Sequence, residues 1–363
     1  MARRLAFDRW LFSVPLALTL FGVLMVYSAS SVLSREEHGN PYHYLVRQAI
    51  AAGIGILVLF VTMFLPYGVY RSRWVSGALM LAVSALLVLV LVRPPTQGVH
   101  RWIDIGYFNL QPSEVAKLAV VICLAGLLDR DRARLRDSKR CLLPCLALIA
   151  QVAVLVALEP DLGTCAILVM TALLMLFIGG LPLRQLALVG VVSLLGLALL
   201  VSSADYRMQR VTSFLYPDLD PQGAGFQARQ SLLAISSGGL SGRSLGEGQQ
   251  KHFFLPHPHT DFIYAVIAEE TGLLGSLAVL LGFSVILWRG LRAAARAPDR
   301  FGALLGAGLA LCLGLGALVN IGVVLALLPT KGLPLPFISY GGSSLVTSLA
   351  SVGILLNLSQ HSS

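Results

Sequence analysis

LPHPHTDFIYAVIAEETGLLGSLAVLLGFSVILW, residues 255–288, decides what kind of protein this is. From Asp261 to Trp288 it is long and apolar enough to cross a bilayer, which takes about 20 such residues in a helix. Asp261 stands at its head, behind Pro256, His257, Pro258, His259 and Thr260, and Glu269 and Glu270 follow two turns later. A carboxylate at the mouth of a bilayer is costly unless it is paired or wet, which makes it a functional candidate. Asp261 is therefore read as a catalytic base.

Nine more apolar runs flank this one: Leu11–Ser30, Leu45–Leu65, Val75–Val92, Ser113–Leu128, Cys141–Leu158, Leu162–Gly180, Gln185–Ser203, Phe301–Leu327 and Gly342–Leu358. The chain is 56% hydrophobic and 12% charged over 363 residues. Soluble domains carry about 25% charge, so these values exclude that class. The expected fold is an all-α polytopic membrane protein, a ten-helix bundle forming one domain over residues 1–363. A single long extracytoplasmic loop, residues 204–260, joins spans seven and eight. The first run is too long, and lacks the cleavage site, for a removable signal peptide.

The net charge of +9 would suit nucleic acid or a membrane surface. Its distribution favours the membrane. With both termini inside, 16 of the 27 lysines and arginines fall on the cytoplasmic side, as the positive-inside rule requires. The run DRDRARLRDSKR, residues 129–140, then sets topology, and no nucleic-acid partner is expected. The five cysteines lie within spans and form no metal set with histidine.

Polar residues gather in the outer segments. RWIDIGYFNLQPSE, residues 101–114, carries Arg101 and Glu114, with Lys117 one turn further on. Glu114 and Lys117 are i,i+3 partners on a helix that opens at Pro112. They are either a structural ion pair or substrate contacts. In EPDLGT, residues 159–164, Asp161 either caps the next helix or faces the same cavity as Asp261. The long loop contains FQARQSLLAI, an expected amphipathic surface helix offering Gln227, Arg229, Gln230 and Ser231. Next comes SSGGLSGRSLGEG, a lid whose amides, with Arg243, could cradle phosphate. In LPTKGLPLPFISYGGSS, residues 328–344, three prolines forbid a regular helix. Lys331, Ser339, Tyr340, Ser343 and Ser344 would then line a cavity. The outward cations Arg101, Lys117, Arg210, Arg243 and Lys331 run against the charge bias, and an anionic ligand would explain them.

Taken in order, RWI…QPSE, EPDLGT, HTDFI and LPTKGLPLPFISYGGSS resemble the SEDS family of shape, elongation, division and sporulation proteins (FtsW/RodA/SpoVE). The likeness covers nearly the whole chain. MVYSAS, residues 25–30, and LPTKG lean towards the division branch. The resemblance implies an inverting peptidoglycan glycosyltransferase on the outer face of the bacterial cytoplasmic membrane. It would polymerise lipid II into β-1,4 glycan and release undecaprenyl diphosphate. Asp261 matches the essential aspartate of the family, and Arg101, Glu114, Lys117, Lys331 and Ser339 match its outer-loop motifs. His259 and Thr260, beside Asp261, join the expected substrate contacts. A class B penicillin-binding protein and other divisome or elongasome membrane proteins are the implied partners. No fixed cofactor is implied, and a divalent cation is the one optional aid. A lipid II transporter and a division scaffold are the rival readings.

Overall fold

In the computed structural model, residues 7–94, 100–106, 109–130, 142–216, 224–250 and 258–361 are described. Most of the basic run at 129–140, together with Cys141 and His257, lies outside them. The described chain forms twelve α-helices: α1 Arg9–His38, α2 His43–Phe64, α3 Arg73–Val92, α4 Pro112–Arg130, α5 Leu143–Leu158, α6 Leu162–Ile178, α7 Leu183–Ser202, α8 Asp205–Leu215, α9 Ala224–Gly238, α10 Ile263–Ala295, α11 Arg300–Val324 and α12 Gly342–His361. Ten of them correspond to the ten apolar runs, and α8 and α9 belong to the long loop. By length and hydropathy seven qualify as membrane spans, and α5 and α6 are shorter apolar helices. The protein is a multi-pass membrane protein. A two-residue hairpin pairs Ile103 with Leu110 and Asp104 with Asn109.

Helices α4, α11 and α12 form the centre, with α12 packed most extensively on α2 and α11 on α10. Phe301, Leu124, Leu128 and Leu355 are buried there. Helix α7 lies at the periphery and buries no residue within the protein, so its apolar surface is left to lipid.

Side-chain caps set several boundaries. Asp8 opens α1 by accepting from the amides of Trp10 and Leu11, satisfying donors that a helix start leaves free. Asp299 does the same for Gly302 of α11. Ion pairs bind one end of the bundle together: Asp8 with Arg289 at 2.6 Å, and Arg71 with Asp129 at 2.9 Å and Asp299 at 3.6 Å. That end collects the start of α1 and the ends of α4 and α10. Asp261, at the start of α10, is at the other.

Helix α10 departs from expectation. It begins at Ile263 rather than Asp261 and breaks at Gly272, where φ is 68° and ψ is −163°. Residues 273–295 make up the part that crosses the bilayer, at 1.5 Å per residue. The break frees the amides of Leu273 and Leu274, which donate to the carbonyls of Gly239 and Leu240 at 3.0 and 3.3 Å. A side chain on Gly242 would collide with the Glu270 carbonyl. The glycine-rich loop is therefore packed against the break.

Candidate functional site

The last loop, residues 325–341, fixes Asp261 through the backbone. Asn320, on α11, donates its amide to the Asp261 carbonyl at 2.9 Å and to the Leu333 carbonyl at 2.6 Å. Ser339 donates to the Thr260 carbonyl at 2.6 Å and accepts from the Leu335 amide. The Tyr340 amide donates to the His259 carbonyl. Three successive carbonyls are thus held, which orients the Asp261 side chain. Its carboxylate makes no hydrogen bond or ion pair among the described residues.

Gly332, next to that carboxylate, lines an open cavity of about 470 Å³ whose walls also include Arg101, Asp161, Arg207, Arg210, Thr330 and Lys331. A methyl group placed on Gly332 would lie 3.3 Å from Asp261 Oδ2 and 3.9 Å from Arg101 Nη1, so this glycine is a floor common to both. Arg101 Nε donates to the Glu159 carbonyl at 2.9 Å, and a terminal nitrogen donates to the Pro160 carbonyl. Arg207 donates to the Leu200 carbonyl at the end of α7. Arg210 and Lys331 have no ion pair among the described residues. Asp261, Lys331 and Glu159 all belong to loops outside the spanning helices. Burial pushes the Asp261 carboxyl up to about 7, against the pull of Arg210 and Arg101. Burial also draws the Lys331 ammonium below its usual value. A desolvated carboxylate can remove a proton, and the cations near it can hold a polyanion.

Other expected residues have different roles. Asp161 caps α6: its Oδ1 accepts from the Thr164 amide at 3.1 Å, and Oδ2 accepts from Gln111 at 2.9 Å and Ser113 at 3.4 Å. It caps the helix and also lines the same cavity as Arg101, Arg210 and Lys331, so the two alternatives hold together. Glu114 and Lys117 pair at 2.9 Å. They line a second cavity of about 490 Å³, with Cys312, Thr347 and Ser351. The segment around Leu333 separates the two cavities.

The expected phosphate cradle is already filled. Glu269 Oε1 accepts from the Gln249 amide at 2.7 Å, and Glu270 Oε2 accepts from the Gly246 amide at 3.1 Å and from Ser28 at 2.7 Å. The Arg243 amide donates to the Glu269 carbonyl, while its exposed side chain reaches the Ser237 carbonyl. These amides receive the protein's own carboxylates, so a phosphate has no place there. Gln227 and Gln230, on half-buried faces of α9, do not line the Asp261 cavity. His259 is buried against Tyr44 and Tyr340, with ring centroids 4.7 and 5.5 Å away. Ser339 and Thr260 act through the hydrogen bond above, and Ser344 is buried in the first turn of α12. The helix expected on the surface is anchored, since Ser231 is buried and donates to the Val324 carbonyl at 2.6 Å.

Sequence reasoning passed over Arg207, gave Glu159 no role, and counted Arg210 among the outward cations that an anionic ligand would explain. An i,i+3 pair of arginines opposing the charge bias was the available signal for Arg207 and Arg210.

A model of the family described as "Cell cycle protein" (FtsW/RodA/SpoVE) matches residues 8–363. Stage V sporulation protein E of Bacillus subtilis is 41% identical over 360 residues, covering 98% of this chain and 97% of the relative. The probable peptidoglycan glycosyltransferase FtsW of Geobacter metallireducens is 42% identical over 358 residues, covering 97% and 94%. Among solved structures, a chain from "Structural coordination of polymerization and crosslinking by a peptidoglycan synthase complex" matches with a TM-score of 0.77 at 32% identity, covering 98% of each chain. The rod shape determining protein RodA of Thermus thermophilus matches with a TM-score of 0.71 at 31% identity, covering 98% of this chain and 97% of that one. The order of motifs, the helical bundle and a match along nearly the whole length agree: this chain belongs to the FtsW/RodA/SpoVE family of cell cycle proteins.

Proposed function

We propose that this chain is a peptidoglycan glycosyltransferase that uses lipid II as donor and acceptor, with Asp261 as its general base. The observation that carries the reading is a backbone-anchored carboxylate beside Gly332, in the wall of an open cavity that also holds Arg210 and Lys331, neither of them in an ion pair among the described residues. Relatives named peptidoglycan glycosyltransferase support it. Asp261 takes the proton from the acceptor sugar hydroxyl, the oxygen attacks the donor anomeric carbon, and undecaprenyl diphosphate leaves with inversion. Arg101, Arg210 and Lys331 hold the diphosphate as its charge grows. Among the described residues no group of three or more His, Cys, Asp or Glu could hold a metal ion by itself. The part of charge stabilisation assigned to this chain's own residues falls to the cations.

The bundle end closed by Arg71, Asp129, Asp8 and Arg289 is placed in the cytoplasm, in line with the positive-inside bias. The Asp261 cavity then opens on the outer face of the bacterial inner membrane. For a transporter, the natural site would be near the midplane and reachable from both sides. Here Glu114 and Lys117 lie in the first two turns of α4, towards the same end as Asp261. The likeness to a synthase-complex chain supports a class B penicillin-binding protein as partner, within the division or elongation machinery. Incubating the purified protein with lipid II, alone and with its transpeptidase, should yield glycan chains. Absence of product in both mixtures would overturn the assignment.

The rate should rise between pH 6 and 8, because the base works deprotonated and its carboxyl titrates near 7. A flat profile over this range contradicts the role of Asp261. Arg210→Ala removes an exposed cation that has no hydrogen bond or ion pair among the described residues, so the fold should survive. KM for lipid II should rise about tenfold or more, given roughly 1.5–3 kcal/mol for a charge-assisted contact. The acid limb of the rate profile should also move to higher pH, since Arg210 is the leading influence holding the Asp261 carboxyl down.

A further inference from the structure

EPDLGT contributes two buried carboxyls, and among the described residues only one has hydrogen-bond partners. Asp161 is satisfied by Thr164, Gln111 and Ser113. Glu159 is fully buried, and neither of its side-chain oxygens has a hydrogen-bond partner among the described residues. An ionised carboxylate in that state is costly, whereas the neutral acid is tolerated. Burial, reinforced by the charge of Asp161 and opposed by that of Arg101, pushes the Glu159 carboxyl up to about 8. Arg101 is joined to this turn in a telling way. It donates to the main-chain carbonyls of Glu159 and Pro160, not to the carboxyl beside them. An ionised Glu159 would offer that guanidinium a two-pronged acceptor, the geometry arginine prefers.

We propose that Glu159 is a positioning residue for Arg101: its protonated carboxyl leaves the guanidinium on the backbone carbonyls, facing the cavity, and its ionised form draws the guanidinium away. Arg101 is then available to a lipid diphosphate at neutral pH and lost to it in the alkaline range. Asp161 favours the protonated state, and Arg101 favours the ionised one. Proton loss and diphosphate binding therefore oppose each other, by the reciprocity that governs coupled sites. The inference rests on the lipid-diphosphate reading above and adds an alkaline limit to it.

The test measures the Kd of undecaprenyl diphosphate at pH 7 and pH 9. It uses Asp261→Asn protein in nanodiscs, so that neither turnover nor titration of Asp261 enters. Binding by this parent should weaken by about tenfold over that interval, within the usual range of coupling between two sites. Adding Glu159→Gln, a close steric match for the neutral acid, should remove the dependence. A parent that binds equally at both values overturns the inference. So does a Glu159→Gln protein that weakens as steeply as its parent, because Lys331 would then carry the titration. No binding at pH 7 sinks the lipid-diphosphate reading and this inference with it, whereas binding without pH dependence sinks this inference alone.

Discussion

Asp261→Asn is expected to lower polymerisation of lipid II by about 10²–10⁴-fold, the usual contribution of a positioned general base, while leaving a folded protein in the membrane. Few substitutions at a buried acid separate activity from folding so well, and the reason is local. Asp261 contributes to the fold through its carbonyl, which accepts from Asn320. Its side chain makes no hydrogen bond or ion pair among the described residues. Asparagine keeps the shape and backbone of the residue and removes a carboxylate that burial already disfavours. Undecaprenyl diphosphate should therefore bind at least as tightly, because one negative charge has left a cavity lined by Arg101, Arg210 and Lys331. The decisive combination is lost product with retained affinity and unchanged thermal unfolding. Near-normal glycan synthesis by this variant would remove the base from the mechanism and leave Asp261 a structural role. Loss of both product and fold would place the residue in the packing.

The large features could be read from sequence because they depend on neighbours along the chain. Runs of apolar residues of the right length specify membrane helices whatever packs against them. Three prolines between Pro329 and Pro336 break a helix locally, and the loop they form holds Asp261. What stayed hidden depends on distant partners. In EPDLGT the sequence presents two carboxyls on equal terms. Asp161 rather than Glu159 is satisfied because Gln111 and Ser113, 50 and 48 residues away, reach its Oδ2. The glycine-rich loop shows the same limit. Its amides do form an anion-receiving surface, as its composition suggests. The anions are Glu269 and Glu270, brought there by the break at Gly272. Arg210 could be read as one of five outward cations, but only the placement of α8 shows that it shares a cavity with Arg101 and Lys331, which Arg243 does not.

Lys117→Met should cost the largest share of stability of any single change considered, about 3–5 kcal/mol, the usual penalty for stranding one member of a buried pair. Lys117 Nζ is 2.9 Å from Glu114 Oε1, and the side chains are 15% and 2% exposed. No other cation forms an ion pair with Glu114 among the described residues, so the carboxylate would be left without a counter-charge or would have to take up a proton. Thermal unfolding in detergent should record a clear drop in Tm for Lys117→Met. The double change Glu114→Gln with Lys117→Met should recover most of it, because a neutral pair of similar volume fills the same space without an uncompensated charge. Polymerisation by the double variant then separates the two roles open to these residues. Restored stability with restored synthesis makes the pair a strut between α4 and the cavity beside α11 and α12. Restored stability without synthesis makes it a substrate contact, and the 490 Å³ cavity it lines becomes part of the lipid II path. If Lys117→Met alone unfolds no more readily than the parent, Glu114 is already neutral and the ion pair is not the state the protein holds.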